Sequence, residues 1–429
     1  MSEWQNWAGT ATAAPADIVR AHSVEQIVDA VRDGRPIKAL GSGHSFTSIG
    51  APEDGALALD LREWAGIESV ADGLVTVRSG TTLNALNHAL DGHGLAMTNM
   101  GDIDKQTIAG AVSTGTHGTG ARSGGIATQI RALELVTADG RSQRCSATEN
   151  PELFDAARVG LGALGVITRV TLACEPGYLL RAEEIPLPLN EVLAQFDERS
   201  DQHDHVEFYW LVHTGQALLK TNDRLPAGTV PQPLSPIRHW LEYDLLENTG
   251  LGLVCRIGKA MPSRIPALNR FLAKMVSPRG YSDVSHRVFV TDRRVKFTES
   301  EYAVPREALH QVLTELRLTS EQLSHPVSFP VEVRTAAADD IWLSTAHGRD
   351  SAYIAIHQYK GLPYEEWFAA FEKIVGEVGG RPHWGKMHSL DATTLCERYP
   401  RFDDFRGIRN TLDPDRRFTN GYLRRVLGD

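Results

Sequence analysis

The sequence predicts an α+β protein of two domains, and three observations carry that prediction. At roughly 100–200 residues per domain, a chain of 429 residues divides naturally into two. Helix-period and strand-period segments both occur along it. Near residue 176 the texture changes: glycine thins out and aromatic residues rise.

The elements follow in order. Ser23-Val24-Glu25-Gln26 has the capping-box pattern and opens an apolar-periodic stretch through Val31 that stops at Gly34, which predicts a helix. "PIKAL" reads as a short buried strand running into "GSGHSF". "ALALDL" (56–61) and "LVTVRSG" (74–80) read as further strands, and "TTLNALNHALDGHG" (81–94) as a helix with a threonine start and a glycine stop. "IRALELVTADG" (130–140) is a strand ending in a turn at Asp139-Gly140, and "GVITRVTLACEP" (165–176) a strand closed by Pro176. Beyond the boundary, "HVEFYWLVH" (205–213) and "SAYIAIHQY" (351–359) predict long strands. "PREALHQVLTELRLT" and "EEWFAAFEKIVGEVGG" predict amphipathic helices, and "LPAGTVPQPLSP" (225–236) a surface connection. The last stretch, from Phe405, is basic and turn-rich.

Composition excludes several function classes. A net charge of −10 argues against nucleic acid or an anionic membrane as the main partner. No apolar run approaches the ~20 residues of a membrane span, and the N-terminus has no basic-then-apolar leader pattern, so a cytoplasmic location is expected. The four cysteines, Cys145, Cys174, Cys255 and Cys396, are far apart and lack metal-ligand spacing, so reduced and mostly buried thiols and no metal are expected.

Two glycine-rich loops stand out. The first, Leu40, Gly41, Ser42, Gly43, His44, Ser45 and Phe46, follows a strand, and Asp60 lies 19 positions after Gly41. That imitates a dinucleotide fingerprint, but Phe46 occupies the place of the third glycine and no long helix follows. The second loop, 99–125, interleaves Gly110, Gly115, Gly118 and Gly120 with Thr107, Ser113, Thr114, Thr116 and Thr119. Small residues let backbone amides approach an anion and the hydroxyls add donors. No lysine follows as in a P-loop. Two such loops together suggest a cofactor bearing a diphosphate.

With "ALGSGHSFTSIG", "MTNMGDIDKQTIAGAVSTGTHGTG", "LELVTADG", "VEVRTAAADDIWLS", "RPHWGKMHSL" and "LDPDRRFTNGYLRRVLG" in this order, nearly the whole chain resembles the vanillyl-alcohol-oxidase-type flavoproteins. Within that group the likeness is to the sugar-lactone oxidases, acting on gulono- and arabinono-1,4-lactones, and to alditol oxidase. The resemblance implies a PCMH-type α+β domain for FAD over 1–176, an α+β cap or substrate domain over 177–404, and a segment 405–429 that rejoins the first. It implies FAD bound covalently through His44, with Leu40 to Phe46, Thr107, Gly110, Ala111, Val112, Ser113, Thr114 and Ile167 lining it. A neutral imidazole is a competent nucleophile for such a bond. His117 in "GTHGTG" is expected to be structural.

Oxidation at a C–OH carbon needs hydride transfer to the flavin and a group for the hydroxyl proton. Glu332 and Arg334, spaced i, i+2, share one face of a strand and can clamp a polyol. Lys386, beside Trp384, is expected to have its pKa lowered by an aromatic neighbour and to act as a base or relay. His357 stands where polyol-oxidising relatives have a hydroxyl residue, Ala355 where they have a histidine, and Asp102 where they have a serine; these departures lean toward the lactone oxidases. Gly101, with no Cβ, is expected to leave room for O2. The activity expected is therefore a covalent-FAD oxidase acting on an aldono-1,4-lactone or alditol and releasing hydrogen peroxide. The alternatives are a dehydrogenase with a non-oxygen acceptor and a non-catalytic flavin- or nucleotide-binding module.

Overall fold

A computed structural model describes residues 3–429. The predicted first helix is Val24–Arg32, with Ser23 Oγ accepting from Gln26 N. It packs over a three-stranded parallel sheet of Asp17–Arg20, Leu57–Asp60 and Ile37–Leu40, in that order. The last of these strands delivers the chain into the first glycine loop. A five-stranded antiparallel sheet follows, ordered Ser142–Ser146, Ile130–Val136, Val166–Ala173, Leu74–Arg78, Ile67–Ala71. The predicted turn at Asp139-Gly140 closes its first hairpin, and Gly140 takes φ +75°, a region glycine enters without penalty.

From Leu179 onward the chain builds one eight-stranded antiparallel sheet. Its order is Arg279–Val284, Leu179–Pro188, Gln216–Arg224, His205–Trp210, Val331–Ala336, Ser351–Tyr359, Phe297–Pro305, Arg381–Pro382. Alternation makes it two-faced. Val206, Phe208, Val331, Val333, Ile354, Ile356, Tyr302 and Val304 point into one apolar core, together with residues of the helices Leu189–Gln202, Leu309–Ser320 and Glu365–Glu377. The other face carries Glu207, Tyr209, Glu332, Arg334, Tyr353, Ala355, His357, Glu299 and Glu301, the alternate positions of the same strands. It lies toward the first part of the chain, with Gly120 N donating to Thr335 O at 2.9 Å.

The turn-rich C-terminal stretch contains two helices, Phe402–Leu412 and Gly421–Leu427. Their Phe405, Tyr422, Leu423 and Val426 join the core of the five-stranded sheet. Trp384, Leu395 and Tyr399 belong to that core too, so the packing back onto the first part begins upstream of residue 405. Asn420 fastens the end of the chain by donating to the carbonyls of Ser48, Ile49 and Ala51. The helical stretch Pro236–Met275 has no counterpart in the sequence reading. Cys145 and Cys255 are buried, Cys174 half-buried, and Cys396 exposed. Among the described residues no helix is long and apolar enough to cross a membrane.

Candidate active site

The two glycine loops face each other across an elongated cleft with about 970 Å³ of empty space. Leu40 to Ser45 line one side; Thr107, Gly110, Ser113 and Thr114 line the other, with Ile167 and Lys38 between. Close approach explains the glycines. A Cβ on Gly41 would stand 2.3 Å from Thr107 Oγ1, and Gly43 has φ +66°. Thr107 Oγ1 in turn caps the helix Ile108–Ser113 by accepting from Gly110 N. A hydroxyl-rich cradle that a single Cβ would fill suits a diphosphate cofactor such as FAD.

Three expected lining residues lie elsewhere. Ala111 and Val112 are fully buried in the first core, because they occupy the inner face of that short helix. Phe46 turns away from the cleft and packs against Trp7 and Phe297. Lys38 was missed. Its ammonium is buried, donates to Phe418 O at 3.3 Å, and is pushed down to about 7 by burial, Asp413 and Glu53 only partly opposing.

His44 stacks on Trp7, with ring centroids 5.8 Å apart. Burial, then the charges of Lys386 and Lys105, push its pKa down to about 4, so the imidazole is neutral at physiological pH. His117 is held differently. Its Nδ1 donates to Gly118 O at 2.8 Å, its Nε2 sits 3.2 Å from Glu301 Oε1, and its ring stacks on Tyr353. Both nitrogens of His117 are thus engaged.

The polar face of the large sheet brings the catalytic candidates together. Register aligns Tyr209, Glu332, Ala355 and Glu301 on four adjacent strands. Arg334 reaches three carboxylates: Glu332 Oε1 at 2.5 Å, Glu207 Oε2 at 2.9 Å and Asp102 Oδ1 at 3.3 Å. Asp102 is also gripped by Arg293, through Nε at 2.8 Å and Nη2 at 2.7 Å. Burial pushes its carboxyl up, but the two guanidinium groups win and hold it well below the usual range. Glu207 meets Lys220 at 3.4 Å. Glu332 differs from its neighbours. Burial, reinforced by Asp102 and Glu207, raises its pKa despite both arginines. Its Oε1, although ion-paired, makes no hydrogen bond.

Lys386 corrects the sequence reading. Trp384 does not touch its chemistry: the indole is fully buried, donates to Leu343 O and stacks on Tyr399. Lys386 instead lies over the Phe46 ring at 4.9 Å, with Nζ 2.5 Å from Glu299 Oε2 and 4.0 Å from Glu301 Oε2. Burial lowers its pKa, but the two carboxylates outweigh burial and the net shift is upward. The lowered pKa expected beside Trp384 does not arise, because Glu299 and Glu301 hold the side chain as an ammonium. His357 joins the same group, with Nε2 3.5 Å from Glu299 Oε1 and Nδ1 on Pro330 O. A hydrogen bond from Phe46 N to Gly385 O, 2.7 Å, ties the "HWGK" segment to the His44 loop.

Gly101 is a second correction. The direction a Cβ would take is closed by His117 O at 2.8 Å. Close backbone packing on that side requires glycine, whatever room it leaves for O2. Arg293, Glu207, Lys220, Glu299 and Glu301 were not anticipated; the i, i+2 spacing of Glu299 and Glu301 was the available signal.

A family model described as D-arabinono-1,4-lactone oxidase matches residues 170–426, and one described as FAD binding domain matches 15–146. The chain is 43% identical over 434 residues to L-gulono-1,4-lactone dehydrogenase of Mycobacterium tuberculosis, covering 99% of each. It is 33% identical to L-gulonolactone oxidase of Bos taurus, over 99% of this chain and 98% of that one. Alditol oxidase of Streptomyces sp. is 31% identical over 98% of both. In fold the chain is similar to a solvent-stable cholesterol oxidase, with a TM-score of 0.84 at 19% identity, covering 100% of this chain and 97% of that one.

Proposed function

The chain belongs to the D-arabinono-1,4-lactone oxidase family of FAD-dependent oxidoreductases, and from that premise we propose that it oxidises a C–OH carbon of an aldono-1,4-lactone, with FAD tethered through His44 and dioxygen as electron acceptor. The observation that carries the reading is Glu332: a buried carboxylate of raised pKa on the polar face of the sheet, ion-paired through Oε1 to the Arg334 guanidinium. Bound FAD supplies the two-electron acceptor. Glu332 accepts the hydroxyl proton of the substrate. Arg334, already fixed by Glu207 and Asp102, orients the substrate's oxygens, and Lys386 presents a permanent positive charge to the developing alkoxide. Asp102 is spent on two arginines and so is not a free ligand for a polyol chain. That supports a lactone over an open-chain alditol as substrate.

His44 is supported as the tether because it lines the cleft, is neutral, and its ring makes no hydrogen bond among the described residues. His117 has no nitrogen to spare. After acid denaturation of the purified protein the yellow colour should stay with the pellet; colour in the supernatant would rule the tether out.

Under anaerobic conditions L-gulono-1,4-lactone should bleach the flavin absorbance, and a panel of lactones and alditols ranked by kcat/KM identifies the substrate. No bleaching with any of them would leave only a flavin-binding module. Admitting air tests the acceptor: fast reoxidation with peroxide release supports dioxygen. The second reading, a non-oxygen acceptor, is favoured by the likeness to a protein named a dehydrogenase. Slow reoxidation in air with fast turnover on cytochrome c would select it.

A further inference from the structure

Strand Phe297–Pro305 places two carboxylates, Glu299 and Glu301, on the polar face of the sheet, both buried. Each touches Lys386 on one side and a histidine on the other. The histidine contacts have a definite proton requirement. Gly118 O can only accept, so His117 Nδ1 carries a hydrogen. Nε2 then faces Glu301 Oε1 at 3.2 Å. Two lone pairs at that distance repel, so a proton lies between them. His357 is held more loosely: its Nδ1 bonds Pro330 O, and its Nε2 faces Glu299 Oε1 at 3.5 Å, too far to require a shared proton.

A metal ion is the competing explanation, because donor atoms of His117, Glu301 and His383 lie within 4.8 Å of one another. The tautomer of His383 argues against it. Its Nδ1 accepts from Gly385 N at 3.0 Å, so Nε2 keeps its hydrogen and has no lone pair to give.

We propose that Glu299 and Glu301 are positioning residues for Lys386, and that Glu301 shares a proton with His117 beyond it. The sequence His357–Glu299–Lys386–Glu301–His117 alternates proton holders and carboxylates along one edge of the site. It rests on the reading of Lys386 as part of the reaction site. The charged and titratable groups around the ammonium are Glu299 and Glu301 on their strand, Asp102 across the face, His44 and His383. Phe46 forms the floor beneath it.

Two measurements test the proposal. In the holoenzyme labelled with 15N-histidine, His117, assigned through His117→Asn, should show protons on both ring nitrogens near neutral pH. In Glu301→Gln it should fall to one. An unprotonated Nε2 in the wild type overturns the shared proton. The second measurement is the pH profile of anaerobic flavin bleaching by L-gulono-1,4-lactone. In Glu299→Gln, burial of Lys386 is no longer offset by its nearest countercharge. Bleaching should then fall roughly tenfold per pH unit on the alkaline side, where the wild type is flat, and Glu299→Asp should restore most of the flat limb. A loss that is equal at every pH and equally present in Glu299→Asp is merely structural and overturns the positioning role. If no lactone or alditol bleaches the wild type, the reading of the reaction has failed, and the histidine spectra still decide the proton sharing.

Discussion

Glu332 and Arg334 meet at 2.5 Å across one pleat of a single strand, yet burial and two neighbouring carboxylates raise the Glu332 pKa despite that contact. The ion pair engages Oε1, so Oε2 is the oxygen left to accept from a substrate hydroxyl. Its raised pKa places its protonation above the ordinary carboxylate range. A base must be unprotonated to work, so flavin bleaching should fall as pH drops through that raised value. Glu332→Gln should remove this acid limb and lower the bleaching rate by about 10²–10⁴-fold. Stopped-flow absorbance across a pH series checks both. A retained acid limb in the variant would assign the ionisation to another group.

Gly101→Ala tests whether glycine there serves packing or oxygen access. A methyl would stand 2.8 Å from His117 O, and backbone cannot yield as a side chain can. The variant should lose about 1–3 kcal/mol of stability, seen as a lower Tm, along with slower bleaching as the His117 segment shifts. An unchanged Tm with only air reoxidation slowed would instead support the oxygen gate.

Much of this was legible because strand alternation and motif order are local. The i, i+2 spacing alone put Glu332 and Arg334 on one face, and the two glycine-rich loops that were read together do line one cleft. The misjudged points share one cause. The direction of the Lys386 shift depends on Glu299 and Glu301, which come from another strand of the sheet and carry no motif. Whether Asp102 binds a substrate hydroxyl or turns away was open in the sequence, because Arg293, which holds it, lies far along the chain. Gly101 could not be read at all without the position of the His117 carbonyl. Pairing across the sheet, and not composition, decides which charges meet.

Lys38 offers a prediction about the cofactor cleft. Its folded pKa, about 7, lies below the unfolded value of ~10.4. Between these values the unfolded chain holds a proton that the folded chain has released, so stability rises with pH across that window. At most about 5 kcal/mol is involved. Apoprotein prepared in a His44→Ala background should show this rise in chemical unfolding, and Lys38→Met should abolish it while being more stable near neutral pH. The same change should weaken FAD binding, because a cation lining the cleft is lost. Fluorescence titration with FAD measures that loss, and unaltered affinity would remove Lys38 from the cofactor site.

Asp102→Asn probes the charge cluster beside the Glu332–Arg334 pair. Asp102 is the carboxylate shared by Arg293 and Arg334, and its depressed pKa means that the folded state favours the ionised form. The stability it contributes is present above the unfolded value of ~3.9 and is lost as pH falls toward the folded one. Removing one member of a buried ionic group leaves its partners uncompensated, at a cost of about 3–5 kcal/mol. Urea unfolding of the holoenzyme should show that deficit near neutral pH, with the gap to wild type closing as pH drops below ~3.9. Arg334 should also lose its alignment with Glu332, so KM for the lactone rises in the variant even where the fold is intact. A deficit that stays constant down to the acid limit would mean that the two arginines do not depend on the charge of Asp102, and the cluster would then be held by packing alone.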